Sequence, residues 1–174
     1  MSVTLVLGGA RSGKSRFAER EARRLSPEPI YLATSRPWDE AHQKRIARHR
    51  ADRGPEWTTV EQPLELSALR MTGRVVVVDC VTLWLTNYFC DLEQDVDVCL
   101  KAAQCEFDRA IELDNTWLFV SNELGQGLHA ATEAGRKFTD LQGFMNQFIA
   151  ARADRVVLLV AGIPLQIKNE APKP

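Results

Sequence analysis

The chain has 174 residues, with 22 Lys and Arg against 23 Asp and Glu and a formal net charge of −1. That length suits one domain burying about 70% of its unfolded surface and is too short for two, while the charge balance excludes a global field for nucleic acid or an anionic membrane. The four cysteines, Cys80, Cys90, Cys99 and Cys105, form no C-x-x-C pair and have no histidine at zinc-finger spacing, so reduced, mostly packed thiols are expected.

The apolar run Val3 to Leu7 predicts a strand, and Gly8-Gly9-Ala10-Arg11-Ser12-Gly13-Lys14-Ser15 follows it directly. This octet fits G-x-x-x-x-G-K-[ST]. Glycines let the backbone N–H groups curl around a triphosphate, Lys14 reaches the β- and γ-phosphates, and the Ser15 hydroxyl ligates Mg²⁺. Phe17, Glu21 and Leu25, with Ala18 and Ala22, repeat at helical spacing, and the helix N-terminus adds partial positive charge at the same place.

Pro27-Glu28-Pro29 breaks that helix, and Ile30 to Ala33 predicts a short buried strand ending in Thr34-Ser35. Trp38 to Arg53 predicts a helix stopped by Gly54-Pro55. The span from Arg36 to Arg53 holds six basic and three acidic residues, which makes it a candidate anion site; Asp91 to Asp114, with eight acidic and two basic, predicts a solvated helix face. In the basic helix His42, Arg45, Ile46, His49 and Arg53 share one face. His42 and His49 lie two turns apart, about 10.5 Å along the axis, too far to ligate one metal. A histidine among arginines is ordinarily a surface residue, but nearby positive charge also keeps it neutral, the state a nucleophile needs.

Glu56 to Val60 predicts an edge strand and Leu64 to Met71 a short helix. Arg74 to Asp79, with four consecutive valines, predicts a strand buried on both faces. Its terminal Asp79 stands where a carboxylate can hold Mg²⁺ beside Ser15. Asp97 to Leu113 carries Cys99, Ala103, Phe107 and Ile111 on one side and predicts an amphipathic helix. Thr116 to Val120 is the next strand, ending in the polar loop Asn122 to Gly127. Glu133 to Arg152 predicts the longest helix, Asp154 to Ala161 a buried strand, and Leu165 to Ile167 a last short one.

This alternation predicts an α/β fold: a P-loop NTPase of RecA-like type, with a mostly parallel central sheet, helices on both faces and a short C-terminal hairpin strand. A single nucleotide-binding domain over 1–168 and a frayed tail over 169–174 are expected. Ligands should gather at the carboxyl edge of the sheet, among the glycine loop, Thr34-Ser35, Asp79 and Asn122-Glu123. The N-terminus enters a strand at once and no apolar run approaches 18 residues, so a cytoplasmic protein without membrane insertion is expected.

The octet, Tyr31 to Ser35, Arg45-Ile46 with His49 and Arg53, Trp57 to Glu61, Asp79 to Thr82 with Asn87, Asn122 to Gly127 and Gly162-Ile163 together resemble one family. It is that of the bifunctional adenosylcobinamide kinase/adenosylcobinamide-phosphate guanylyltransferases of cobalamin biosynthesis. The resemblance implies two reactions: phosphorylation of the aminopropanol hydroxyl of adenosylcobinamide by ATP or GTP, then transfer of GMP from GTP through an enzyme histidine to give adenosylcobinamide-GDP.

Carried over by residue, His49 matches the guanylylated histidine. Gly8, Gly9, Ala10, Arg11, Ser12, Gly13, Lys14 and Ser15, then Ala33, Thr34, Ser35, Arg50, Ala51, Asp52, Arg53, Glu61 and Asp79 match nucleotide-contacting positions. Mg²⁺ at Ser15 and Asp79, small-molecule partners only and a homo-oligomer, a homotrimer, are implied. The chain departs from the family pattern at Arg48, where many relatives carry a second histidine, at Leu124, and over 128–133. Two other readings compete: a different small-molecule P-loop kinase without a covalent nucleotide, and a non-enzymatic nucleotide switch, whose usual N-K-x-D or T-K-x-D segment is absent from this sequence.

Overall fold

The computed structural model describes residues 1–37 and 53–170, so the expected helix from Trp38 to Arg53, and with it His49, Arg50, Ala51 and Asp52, lies outside the described residues except for Arg53. Seven strands form one sheet: β1 (Ser2–Gly8), β2 (Ile30–Ala33), β3 (Thr58–Glu61), β4 (Val75–Asp79), β5 (Thr116–Val120), β6 (Arg155–Val160) and β7 (Ile163–Asn169), in the order β3-β2-β4-β5-β1-β6-β7. All neighbours are parallel except β6 and β7, which form an antiparallel hairpin. The predicted α/β class, mostly parallel sheet and C-terminal hairpin are therefore observed.

Among the described residues four α-helices follow the strands: α1 (Lys14–Leu25), α2 (Val81–Asp91), α3 (Val96–Glu112) and α4 (Glu133–Arg152). Period-two alternation divides the strand side chains between two cores. Val76 and Val78 join Trp117, Phe119 and Leu5 under α2, α3 and α4, while Val75 and Val77 join Leu118, Val120 and Tyr31 under Phe17, Ala18 and Ala22 of α1. The four valines are buried, as a strand covered on both sides requires.

Several expectations need correction. Helix α2 was not expected. Trp84, Leu85, Phe89 and Asn87 are all buried in it, and a helix wrapped by protein lacks the one-sided stripe from which helices are read. The helix expected over Leu64 to Met71 shrinks to a single 3₁₀ turn, Leu66–Leu69. Leu25 is 48% exposed, so it closes α1 without joining its core. The acidic face of α3 is not wholly solvated: Glu106 is buried and accepts a 2.7 Å hydrogen bond from the Ser67 N–H, satisfying the start of that 3₁₀ turn. The last strand is longer than Leu165 to Ile167. It runs to Asn169, and the Glu170 N–H donates to the Asp154 carbonyl at 2.8 Å; of the tail expected to fray, 171–174 lie outside the described residues. The thiols are all free, but only Cys80 and Cys99 are packed; Cys90 and Cys105 are exposed.

Candidate functional site

Parallel strands end on one edge, and register decides which residues meet there. Ala33 of β2 stands opposite Asp79 of β4 and Glu61 of β3, Asp79 stands opposite Val120 of β5, and Val120 stands opposite Val6 of β1. The predicted ligand edge is thus assembled from Glu61, Ala33, Asp79, the β5 loop and the glycine loop, side by side in that order.

The glycine loop bridges β1 and α1. Gly8 has φ of 153°, and a Cβ there would stand 2.6 Å from both the Leu159 carbonyl oxygen and Ser12 Oγ, so only glycine fits. Gly13 takes a left-handed φ of 94° as the residue preceding α1. The loop is held from outside: the Gly162 N–H, in the turn between β6 and β7, donates to the Ser12 carbonyl at 2.9 Å. Gly9, Ala10 and Arg11 are exposed at the rim, Ser12 is buried and Ser15 half-buried. An open cavity of about 210 Å³, lined by Gly13, Arg16, Phe17, Arg20 and Gly162, lies beside the loop.

Lys14 is the first residue of α1 and is buried; its Nζ donates to the Gly9 carbonyl at 2.6 Å. Burial lowers its pKa from the ordinary lysine value, and the nearby Cys80 and Asp79 oppose that shift. An ammonium held this way, short of hydration and without a carboxylate in contact among the described residues, favours an arriving phosphate anion.

Asp79 lies on the α1 face of the sheet, in parity with Val75 and Val77. Tyr31 stands opposite Val77, a diagonal neighbour of Asp79, and donates its phenolic hydrogen to Asp79 Oδ2 at 2.6 Å. The Arg53 guanidinium carbon lies 3.5 Å from the Tyr31 ring centroid, a cation–π contact. Burial, with the Asp79 charge and hydrogen bond, pushes the Tyr31 phenol far above its ordinary value.

The other expected residues are placed less evenly. Ala33 and Ser35 are half-buried at the edge and Glu61 is exposed at the end of β3. Thr34 is fully buried: its hydroxyl donates to the Cys80 carbonyl at 2.8 Å, and its own carbonyl accepts from Asn87 Nδ2 at 2.7 Å. Asn87 Nδ2 also donates to the Pro63 carbonyl at 2.8 Å, tying the ends of β2 and β3 to α2. Sequence reasoning named neither Tyr31 as the partner of Asp79 nor this clamp; register over β2 and β4 would have found the first. Oxygen donors from Ser15 and Asp79 suit Mg²⁺, which keeps several waters and takes few protein ligands. No cluster of three His, Cys, Asp or Glu side chains that could hold a metal ion occurs among the described residues.

A glycine loop turning from the first strand into a helix, a buried lysine at that helix's start and a carboxylate two strands away define a P-loop nucleotide-binding protein of the α/β class. The sequence profile of the CobU family, cobinamide kinase/cobinamide phosphate guanyltransferase, matches residues 4–167, and the chain belongs to that family. It is 43% identical over 171 residues to the bifunctional adenosylcobalamin biosynthesis protein CobP of Pseudomonas aeruginosa, covering 95% of this chain and 97% of that one. It is 36% identical to the protein CobU of Escherichia coli K12, described in the same words, over 94% of this chain and 98% of the relative. Among solved structures, the flagellar accessory protein FlaH of Methanocaldococcus jannaschii is similar at a TM-score of 0.47 and 12% identity, covering 97% of this chain and 79% of that one. The fold assignment rests on strand order and loop geometry.

Proposed function

We propose that the chain phosphorylates the aminopropanol hydroxyl of adenosylcobinamide with ATP or GTP and then transfers GMP from GTP to the product, giving adenosylcobinamide-GDP. One observation carries this reading: the family match spans nearly the whole chain, including a loop whose buried Lys14 is fit for a triphosphate. That match disfavours both a plain small-molecule kinase and a nucleotide switch.

In the first reaction the loop N–H groups of Gly8 to Ser15 and the Lys14 ammonium hold the phosphates and stabilise charge developing on their oxygens. Mg²⁺ held by Ser15 and Asp79 would supply neutralisation of the β- and γ-phosphate charge. In the second, a neutral His49 nitrogen attacks the α-phosphorus of GTP and pyrophosphate leaves. An oxygen of the phosphorylated corrinoid then attacks the same phosphorus, the P–N bond breaks, and the imidazole is regenerated. Ala33, Thr34, Ser35, Arg50, Ala51, Asp52, Arg53, Glu61 and Asp79 would line the nucleotide; support for this comes from the edge shared by Ala33, Glu61 and Asp79.

A homotrimer remains the reading for assembly, supported by the outermost strand: Ile163, Leu165 and Ile167 alternate along β7 and are 70%, 58% and 59% exposed. Such an apolar row suits a second copy of the chain. A cytoplasmic location belongs to the same reading; no helix among the described residues is long and apolar enough to cross a membrane.

The test is incubation with Mg²⁺ and α-labelled GTP, then denaturation, beside the His49→Ala variant. Acid-labile, alkali-stable label that the variant lacks is the expected result. A folded, GTP-binding protein that retains no label would remove the transferase half.

A further inference from the structure

At the end of β5 lies a polar network that the nucleotide chemistry above does not use. Ser121, Gln142 and Asn146 are all buried. Ser121 Oγ donates to Asn146 Oδ1 at 2.6 Å, and Gln142 Nε2 donates to Ser121 Oγ at 2.9 Å and to Asn146 Oδ1 at 3.0 Å. Asn146 Nδ2 then donates to the Asn122 carbonyl at 3.0 Å and to Glu123 Oε1 at 3.3 Å. The Glu123 N–H donates to the Gly8 carbonyl at 3.1 Å, fastening this residue to the first residue of the phosphate loop. Asn122 is fixed separately, by its Nδ2 donating to Thr82 Oγ1 at 2.8 Å.

Burying three amide and hydroxyl side chains is costly unless they satisfy one another. Here the donors are all used, though Gln142 Oε1 has no partner among the described residues, and the bonds run in an order that ends on one half-exposed carboxylate. Glu123 has no ion pair among the described residues, and its Oε2 accepts no hydrogen bond from any of them. Strand β5 lies between β1, which carries the loop, and β4, which carries Asp79, so the carboxylate stands on the edge between them. The other acidic groups on this edge among the described residues are worse placed. Asp79 is the carboxylate proposed above to hold Mg²⁺ and accepts from Tyr31, and Glu61 ends β3, four strand positions from β1, about 19 Å at the usual spacing.

We propose that Glu123 is the general base of the phosphoryl-transfer reaction, receiving the proton of the acceptor alcohol. The inference rests on the kinase half of the function proposed above. As the alcohol oxygen forms its bond to the γ-phosphorus, its proton passes to Glu123 Oε2. The bond from the γ-phosphorus to the β–γ bridging oxygen breaks, and its electron pair leaves with the nucleoside diphosphate. Asn146, whose Nδ2 donates to Glu123 Oε1, is a positioning residue that holds the carboxylate at the loop while Glu123 Oε2 does the chemistry.

The test uses the full chain with Mg²⁺, ATP and adenosylcobinamide, following corrinoid phosphorylation in wild type, Glu123→Gln and Glu123→Asp, with α-labelled GTP labelling run in parallel. Glu123→Gln is expected to lower kcat for phosphorylation by about 10²–10⁴-fold with little change in the KM for ATP, while keeping the covalent label, which also reports a folded nucleotide site. The wild-type kcat falls on the acid side of its pH profile, the Gln variant loses that limb, and the Asp variant recovers part of the rate. Phosphorylation by Glu123→Gln at the wild-type rate would overturn the assignment. So would joint loss of phosphorylation and label, which would make Glu123 a nucleotide-holding group instead. A wild-type chain that labels but does not phosphorylate the corrinoid overturns the kinase reading itself, and with it this one.

Discussion

Tyr31 and Asp79, on neighbouring strands and two residues out of register, are joined by a 2.6 Å hydrogen bond from phenol to carboxylate. The bond fixes the direction of the carboxylate proposed to hold Mg²⁺. Tyr31→Phe keeps the ring beneath Arg53 but removes the donor, and a lost bond to a charged acceptor that water can partly replace costs about 1–2 kcal/mol. Urea unfolding should show that loss, and nucleotide affinity should need more Mg²⁺ than in wild type.

The same pair predicts a spectroscopic result. The chain has two tyrosines, Tyr31 and Tyr88, and burial, first among several causes, raises both phenols above their ordinary value. The folded protein therefore holds protons that the unfolded chain releases from about pH 10. Stability from this source is complete below that pH and is lost as pH rises above it. Absorbance at 295 nm should show no phenolate in the native protein near pH 10, with both groups ionising together upon alkaline unfolding.

Lys14 gives a pH effect on binding. Because burial depresses its pKa and a bound phosphate anion restores it, pyrophosphate binding should take up a proton between the depressed value and the ordinary lysine value. Affinity should begin to fall at a pH below the usual lysine range. Calorimetry in two buffers of different ionisation enthalpy measures that proton directly, and Lys14→Met should abolish the uptake.

Thiol reactivity follows burial. Cys80 is buried and its pKa is pushed up to about 12, chiefly by desolvation, and Cys99 is buried and also raised. A thiol kept protonated and out of solvent is unreactive. Alkylation of the native protein at pH 8 should modify Cys90 and Cys105, which are exposed, and reach Cys80 and Cys99 only in denaturant; mass spectrometry of the peptides decides.

The assembly reading is tested at Leu165. The side chain is 58% exposed in the isolated chain, so Leu165→Lys removes little packing within the subunit. Sedimentation should show a homotrimer for wild type and a smaller species for the variant, with unchanged circular dichroism. A monomeric wild type would remove the homotrimer.

What the sequence made legible was what local pattern determines. The octet Gly8 to Ser15 and the four valines ending in Asp79 announce themselves because each obeys a short-range rule, a fixed spacing in one and unbroken burial in the other. Helix α2 was illegible for the opposite reason, since Trp84, Leu85, Phe89 and Asn87 point at different neighbours and leave no stripe. Glu106 looked solvated because its partner, the Ser67 N–H, lies 39 residues away and is a backbone group that no side-chain pattern reveals. The same holds for Glu123: its place on the edge could be read from the end of β5, whereas the Ser121, Gln142 and Asn146 support depends on where α4 lies against that strand.

The grip of the Gly162 N–H on the Ser12 carbonyl sets an order of events during synthesis. The phosphate loop leaves the ribosome before β6, which presses on Gly8 through Leu159, and before the turn that holds Ser12. A nascent chain that already carries the whole octet still lacks the wall against which the octet is moulded. Nucleotide capture should therefore begin only once β6 and the turn after it have emerged, so that no half-made enzyme draws on the cell's triphosphates.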